Sequence, residues 1–125
     1  MKDFTSANTP TMTDDHHLIE FNQLSSFERN ILFVLAKLGP SKGVVVKNEL
    51  QNLYDQEINH GRLYPNLDDL VDVGYVDKSE RDQRTNEYAL TNKAQKALQT
   101  QLNWEKKCLE EVDEAEEEDS EALKA

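Results

Sequence analysis

Residues 59–76 read Asn-His-Gly-Arg-Leu-Tyr-Pro-Asn-Leu-Asp-Asp-Leu-Val-Asp-Val-Gly-Tyr-Val, and this stretch decides how the rest of the chain is read. Asn59 is a helix-capping residue, and Leu63, Leu67, Leu70 and Val71 follow it at helical spacing. A proline inside a helix removes a ladder hydrogen bond and is tolerated only near the first turn, so Pro65 pins the helix start to about residues 59–62. Gly74 then stops the helix. Tyr75-Val76-Asp77-Lys78 begins a strand, and Glu87-Tyr88-Ala89-Leu90 offers its return. Between them lie eight polar residues, 79–86, read as the long charged tip of a hairpin.

Upstream, Ser25 and Glu28 form a capping box, and Phe27, Ile31, Val34, Leu35 and Leu38 give one apolar face before Gly39-Pro40 ends the helix. Ser41 is expected to cap a second helix through Val44, Val45, Val46, Leu50, Leu53 and Tyr54. Downstream, Thr91 is expected to cap a last helix of roughly twenty residues through Ala94, Leu98, Leu102, Leu109 and Val112, with Trp104 and Cys108 on a neighbouring stripe. Helix, helix, helix, hairpin is the order of a winged helix-turn-helix, whose third helix enters the major groove. The fold class is therefore mainly α with a small β-hairpin (α+β).

Composition sets the outer limits. The chain has 125 residues, enough for one domain with loose ends. One cysteine, Cys108, excludes an internal disulfide framework and a Cys-rich zinc site. No stretch approaches the roughly 18 apolar residues of a membrane span, and residues 1–20 lack a basic segment followed by an apolar core. A cytoplasmic protein with no membrane partner is expected. The net charge is −11, which by itself opposes nucleic-acid binding, but ten acids against three bases crowd into residues 101–125 and leave −4 for the first hundred. Asp14, Asp15, His16 and His17 on the polar N-terminal segment are too loose a set for a metal, and no metal or cofactor is assigned. A nucleophile elbow, a phosphate-binding glycine loop and His-Glu-x-x-His are all missing, so no catalytic residue and no enzyme are expected.

The chain resembles the PadR-like winged-helix regulators from about Leu24 to Val112. The residues that carry the resemblance are Leu38-Gly39-Pro40 with Gly43, then Gly61-Arg62-Leu63-Tyr64-Pro65-Asn66-Leu67 with Leu70 and Gly74-Tyr75-Val76, then Tyr88-Ala89-Leu90-Thr91. Val44 departs from the pattern, where an aromatic residue is usual, and Asp68-Asp69 departs where a basic one is common. The resemblance implies a homodimeric, sequence-specific regulator of transcription on double-stranded DNA, paired through the C-terminal helix. With its acidity and its arm, the sequence looks like a haloarchaeal member, of the kind that governs the oxidative-stress response.

On that reading, residues 1–22 are a flexible arm, 23–90 the DNA-binding domain, 91–113 a dimerisation helix and 114–125 an acidic disordered tail. Asn59, His60, Arg62, Tyr64 and Asn66, at the start of the recognition helix, are candidate base and phosphate contacts, with Arg62 suited to guanine and Tyr64 equally readable as core. Arg81, Gln83 and Arg84 on the wing suit phosphates or a narrow minor groove, and Lys42 and Lys47 suit the backbone. Leu98, Leu102, Trp104, Cys108, Leu109 and Val112 are the candidate dimer interface. The alternative is a winged helix that binds another protein and never touches DNA. Acids between the basic residues favour that alternative, and the clustering of Arg62, Arg81 and Arg84 favours DNA.

Overall fold

The computed structural model describes residues 20–82 and 84–124. Its elements run α1 (Ser26–Leu38), β1 (Ser41–Lys42), α2 (Gly43–Tyr54), α3 (His60–Asp72), β2 (Val76–Asp82), β3 (Thr85–Leu90) and α4 (Asn92–Lys124). The expectations for residues 1–19 and Gln83 lie outside the described residues, while the end of the expected flexible arm is corrected: residues 20–22 form a short helical turn whose Phe21 is buried in the core.

α1 begins as the sequence predicts: the Glu28 amide donates to Ser25 Oγ at 3.1 Å, and the Ser25 amide donates to Glu28 Oε1 at 2.9 Å. Its buried face is wider than the expected stripe, because Phe27, Ile31, Leu32, Val34 and Leu35 all go inside. α1 is the central helix, packed by α2, α3 and α4 together. Leu38 corrects the expectation. It stands at the last turn, where Gly39 swings the chain away at φ +77°, and it is exposed.

The second helix departs most from the sequence reading. Ser41 does not cap it. Residues 41 and 42 form a strand pairing Ser41 with Tyr88 and Lys42 with Glu87, and the Ser41 hydroxyl donates to the Gly39 carbonyl at 2.8 Å. Helix α2 therefore starts at Gly43, with Lys42 in the cap position and no side chain on its amides. A run of three valines spans 200° of a helix, so only Val46 joins Leu50 in the core, while Val44 and Val45 are exposed. Leu53 is exposed too. Tyr54 takes its place, tilted against Phe27 at 5.9 Å and accepting from Asn30 Nδ2 at 2.8 Å.

α3 is capped as expected, with Asn59 Oδ1 accepting from the Arg62 amide at 2.9 Å. Leu63, Leu67 and Leu70 are buried. The helix starts at His60, within the expected 59–62, which makes Pro65 its sixth residue. Its missing N–H leaves out the ladder bond to the Gly61 carbonyl. Gly74, at φ +84°, turns the chain into β2.

The hairpin has longer strands and a shorter tip than the sequence suggested. β2 and β3 run antiparallel from the Val76–Leu90 pair out to the Asp82–Thr85 pair, and the sheet order is β1-β3-β2. Charged residues that read as loop are strand residues because a two-stranded wing exposes both faces at its end. Thr91 caps α4 as predicted, its Oγ1 accepting from the Ala94 amide at 3.1 Å and donating to the Gly74 carbonyl at 2.7 Å. α4 is 33 residues long, so the expectation of a disordered tail from residue 114 is corrected: the backbone stays helical to Lys124. Glu and Ala, which dominate that segment, are strong helix formers, and this propensity outweighs the like-charge repulsion.

Candidate nucleic-acid interface

Gly43 opens α2, and a Cβ there would stand 2.6 Å from the Tyr64 hydroxyl and 2.7 Å from its Cε1. Only a glycine lets the Tyr64 ring lie this close to the first turn of α2. Around that contact is a cleft of about 430 Å³, lined by Lys42, Gly43, Val44, Tyr64, Arg84, Thr85, Asn86 and Tyr88. Three elements meet in it: the uncapped start of α2, the first half of α3 and the tip of the wing. Amides at a helix start carry partial positive charge and attract anions. Lys42 and Arg84 add full charges and have no ion pair among the described residues.

Alongside, Lys47, Asn59 and His60 line a second cleft of about 310 Å³ with Glu57 and Ile58. His60 stacks on Tyr64 with ring centroids 5.5 Å apart and planes within 9°, which joins the two clefts. Lys42, Lys47, Asn59, His60, Tyr64 and Arg84 are thus brought together. Asn59 is committed to its cap. Gly43, Val44, Thr85 and Asn86 were missed by the sequence reading, because the short strand β1 that orders them carries no period.

Arg62 and Asn66 are placed apart from this cleft. The Arg62 guanidinium lies 3.9 Å from the Phe27 ring centroid and 5.9 Å from that of Tyr54, which clamps α3 to α1. Asn66 Nδ2 donates to the Arg62 carbonyl at 2.7 Å.

The wing's charges are mostly matched. Arg81 pairs with Glu87, and Lys78 pairs with Asp68 at 3.2 Å, tying β2 to α3. The hydrogen bond that Lys78 donates to the Asp68 carboxylate raises its pKa above the ordinary value. Asp82 accepts from the Arg84 amide at 2.9 Å, and this bond, with a further one from Thr85, holds its carboxyl below the ordinary range. Burial raises the Tyr88 hydroxyl on the cleft floor, so it stays protonated at neutral pH.

On α4, Leu102, Trp104, Leu109 and Val112 are 49 %, 52 %, 67 % and 52 % exposed, a large unpartnered apolar stripe, and Cys108 beside it is half-buried. Leu98 differs: it is buried in the chain's own core and forms, with Phe33 and Leu90, one wall of a groove of about 340 Å³ that leads to Leu102. No helix among the described residues is long and apolar enough to cross a membrane.

The Transcriptional regulator PadR-like family matches residues 31–100. RosR of H. salinarum is 45 % identical with a TM-score of 0.66, covering 79 % of this chain and 96 % of RosR. The complex structure of hsRosR-SG is 44 % identical with a TM-score of 0.68, covering 82 % and 97 %. Reduced AbfR bound to DNA is 21 % identical with a TM-score of 0.62, covering 90 % and 79 %, and shares the fold. None of the curated proteins matches this chain.

Proposed function

This chain belongs to the PadR-like family of transcriptional regulators, and we propose that it binds double-stranded DNA as a homodimer, reading sequence with the first half of α3. One observation carries this reading: Lys42 and Arg84, both without ion pairs among the described residues, converge with the uncapped start of α2 on the Tyr64 cleft. An anion seated there would be a backbone phosphate. His60 and the outer edge of Tyr64 then face the major groove, and the β2–β3 wing lies along the backbone or the minor groove. The exposed stripe on α4 is the surface for the second protomer. Lys78 is engaged with Asp68 of α3 and Arg81 with Glu87 of β3, which leaves Arg84 as the wing's phosphate contact.

Likeness to RosR of H. salinarum supports a haloarchaeal regulator, and a part in the stress response follows from the sequence resemblance. With DNA as its partner and no enzyme chemistry assigned, the protein acts where the chromosome is. Selection from a pool of random duplexes tests the reading. A recurrent motif, bound far more tightly than the starting pool, is expected. Failure to enrich any motif, with retention of the folded chain, would move the assignment to a protein-binding winged helix.

A further inference from the structure

Gln101 is 1 % exposed, one of two polar side chains buried among the described residues. It lies on the buried face of α4 with Ala94, Ala97 and Leu98, where a leucine would fit and would spare the desolvation of an amide. Both ends of the amide are bonded. Oε1 accepts from Asn22 Nδ2 at 3.0 Å, and Nε2 donates to Glu105 Oε2 at 3.0 Å. The same Glu105 oxygen accepts from Arg29 Nη2, and the Arg29 guanidinium sits 5.2 Å from the Phe21 ring centroid. The short helical turn before α1, α1 itself and α4 are therefore joined by one directional chain. Hydrogen bonds from Gln101 and then Arg29 hold the Glu105 carboxyl below its ordinary pKa, so the chain is charged and formed at neutral pH.

Beyond Glu105, every described side chain of α4 is exposed or half-buried. The network is thus the last fixed attachment before the helix leaves the body. Apolar packing alone tolerates rotation and slippage of a helix, whereas buried polar groups can select one orientation. In a dimer joined through α4, the angle at this attachment sets the separation and twist between the two recognition helices. Each base pair added between half-sites rotates the second one by roughly 35°, since a turn holds 10–10.5 base pairs. A small change of angle would therefore alter which spacing is bound.

We propose that Arg29, Gln101 and Glu105 are positioning residues that set the spacing between the two half-sites of the operator. The inference rests on the dimeric, DNA-binding reading above. Selection from a random-duplex pool with the full chain, followed by sequencing, reads both the half-site motif and the spacer. The wild type should return paired half-sites with one dominant spacer. Gln101→Leu and Arg29→Met should return the same half-site motif with discrimination between spacers reduced about threefold to tenfold, the loss of one hydrogen bond's worth of orientation. Glu105→Gln, which keeps an acceptor for both neighbours, should retain the single spacer. Should Gln101→Leu fail to fold, Arg29→Met, at a half-exposed position, decides the question. An unchanged single spacer in the Leu and Met variants would overturn the proposal and leave the dimer reading intact. Unpaired half-sites from the wild type would overturn the dimer reading itself.

Discussion

Gly43 and Tyr64 show what a single residue does here. The Tyr64 ring occupies the space a side chain at position 43 would need. Gly43→Ala should cost about 1–3 kcal/mol by overpacking. Tyr64→Ala should remove that cost, so that the double variant is more stable than the sum of the single effects predicts in a denaturant double-mutant cycle. Additive effects would mean the ring moves aside freely. Arg62 and Arg84 make a second contrast. Arg62→Ala removes the stack on Phe27 and should lower stability by about 0.5–2 kcal/mol while preserving base preference. Arg84→Ala should leave stability unchanged and weaken all duplexes alike. Thermal melts and paired titrations on selected and random DNA separate the two. The sequence marked both arginines as donors near the right elements. It gave no sign of the Phe27 ring, 35 positions away, that holds one of them back.

At the scale of elements, the capping box at Ser25, the Asn59 cap, the Gly74 stop and the Thr91 cap were all legible, because each is a local rule satisfied by neighbours in sequence. Strand β1 was not legible: two residues have no period, and Ser41 satisfies the rule for a helix cap as well as for a strand. The full reach of α4 was hidden by its charge. These placements decide where to cut. Ala97 and Gln101 belong to the body, so removing everything from residue 96 would open the core, whereas a stop after Lys107 spares it. The shortened chain should sediment as a folded monomer, and a persistent dimer would place the interface elsewhere. Acid should also act on this attachment. The folded Glu105 pKa is depressed below its ordinary 4.5, so its stabilisation is present above that value and is lost as pH falls through the lower folded one. Denaturant midpoints measured from pH 6 to about pH 2 should fall less steeply for Glu105→Gln than for the wild type.

For the whole molecule, the central tension is a net charge of −11 on a protein that binds a polyanion. The structure resolves it by pairing. Among the described residues Lys78 pairs with Asp68, Arg81 with Glu87, Lys37 with Glu49 and Arg29 with Glu105, which leaves Lys42, Lys47 and Arg84 as the cations of the DNA face without an ion pair there. Three phosphate contacts per protomer, six for the dimer, set the slope of log K against log salt at about −5 when nothing offsets it, and cation uptake near Asp69 and Asp72 would bring it closer to zero. At molar salt the Debye length is about 3 Å, so only contact geometry remains. An acidic surface that holds water and cations suits such a medium, in keeping with the likeness to RosR of H. salinarum. The most direct test of the account is fluorescence anisotropy on the selected duplex and on random DNA, with the wild type and the Lys42→Ala/Arg84→Ala variant, from moderate to molar potassium chloride. The wild type should prefer the selected duplex by about a thousandfold or more, its affinity should change little with salt, and the variant should weaken on both duplexes. Equal binding of selected and random DNA, or a variant that binds like the wild type, would contradict it.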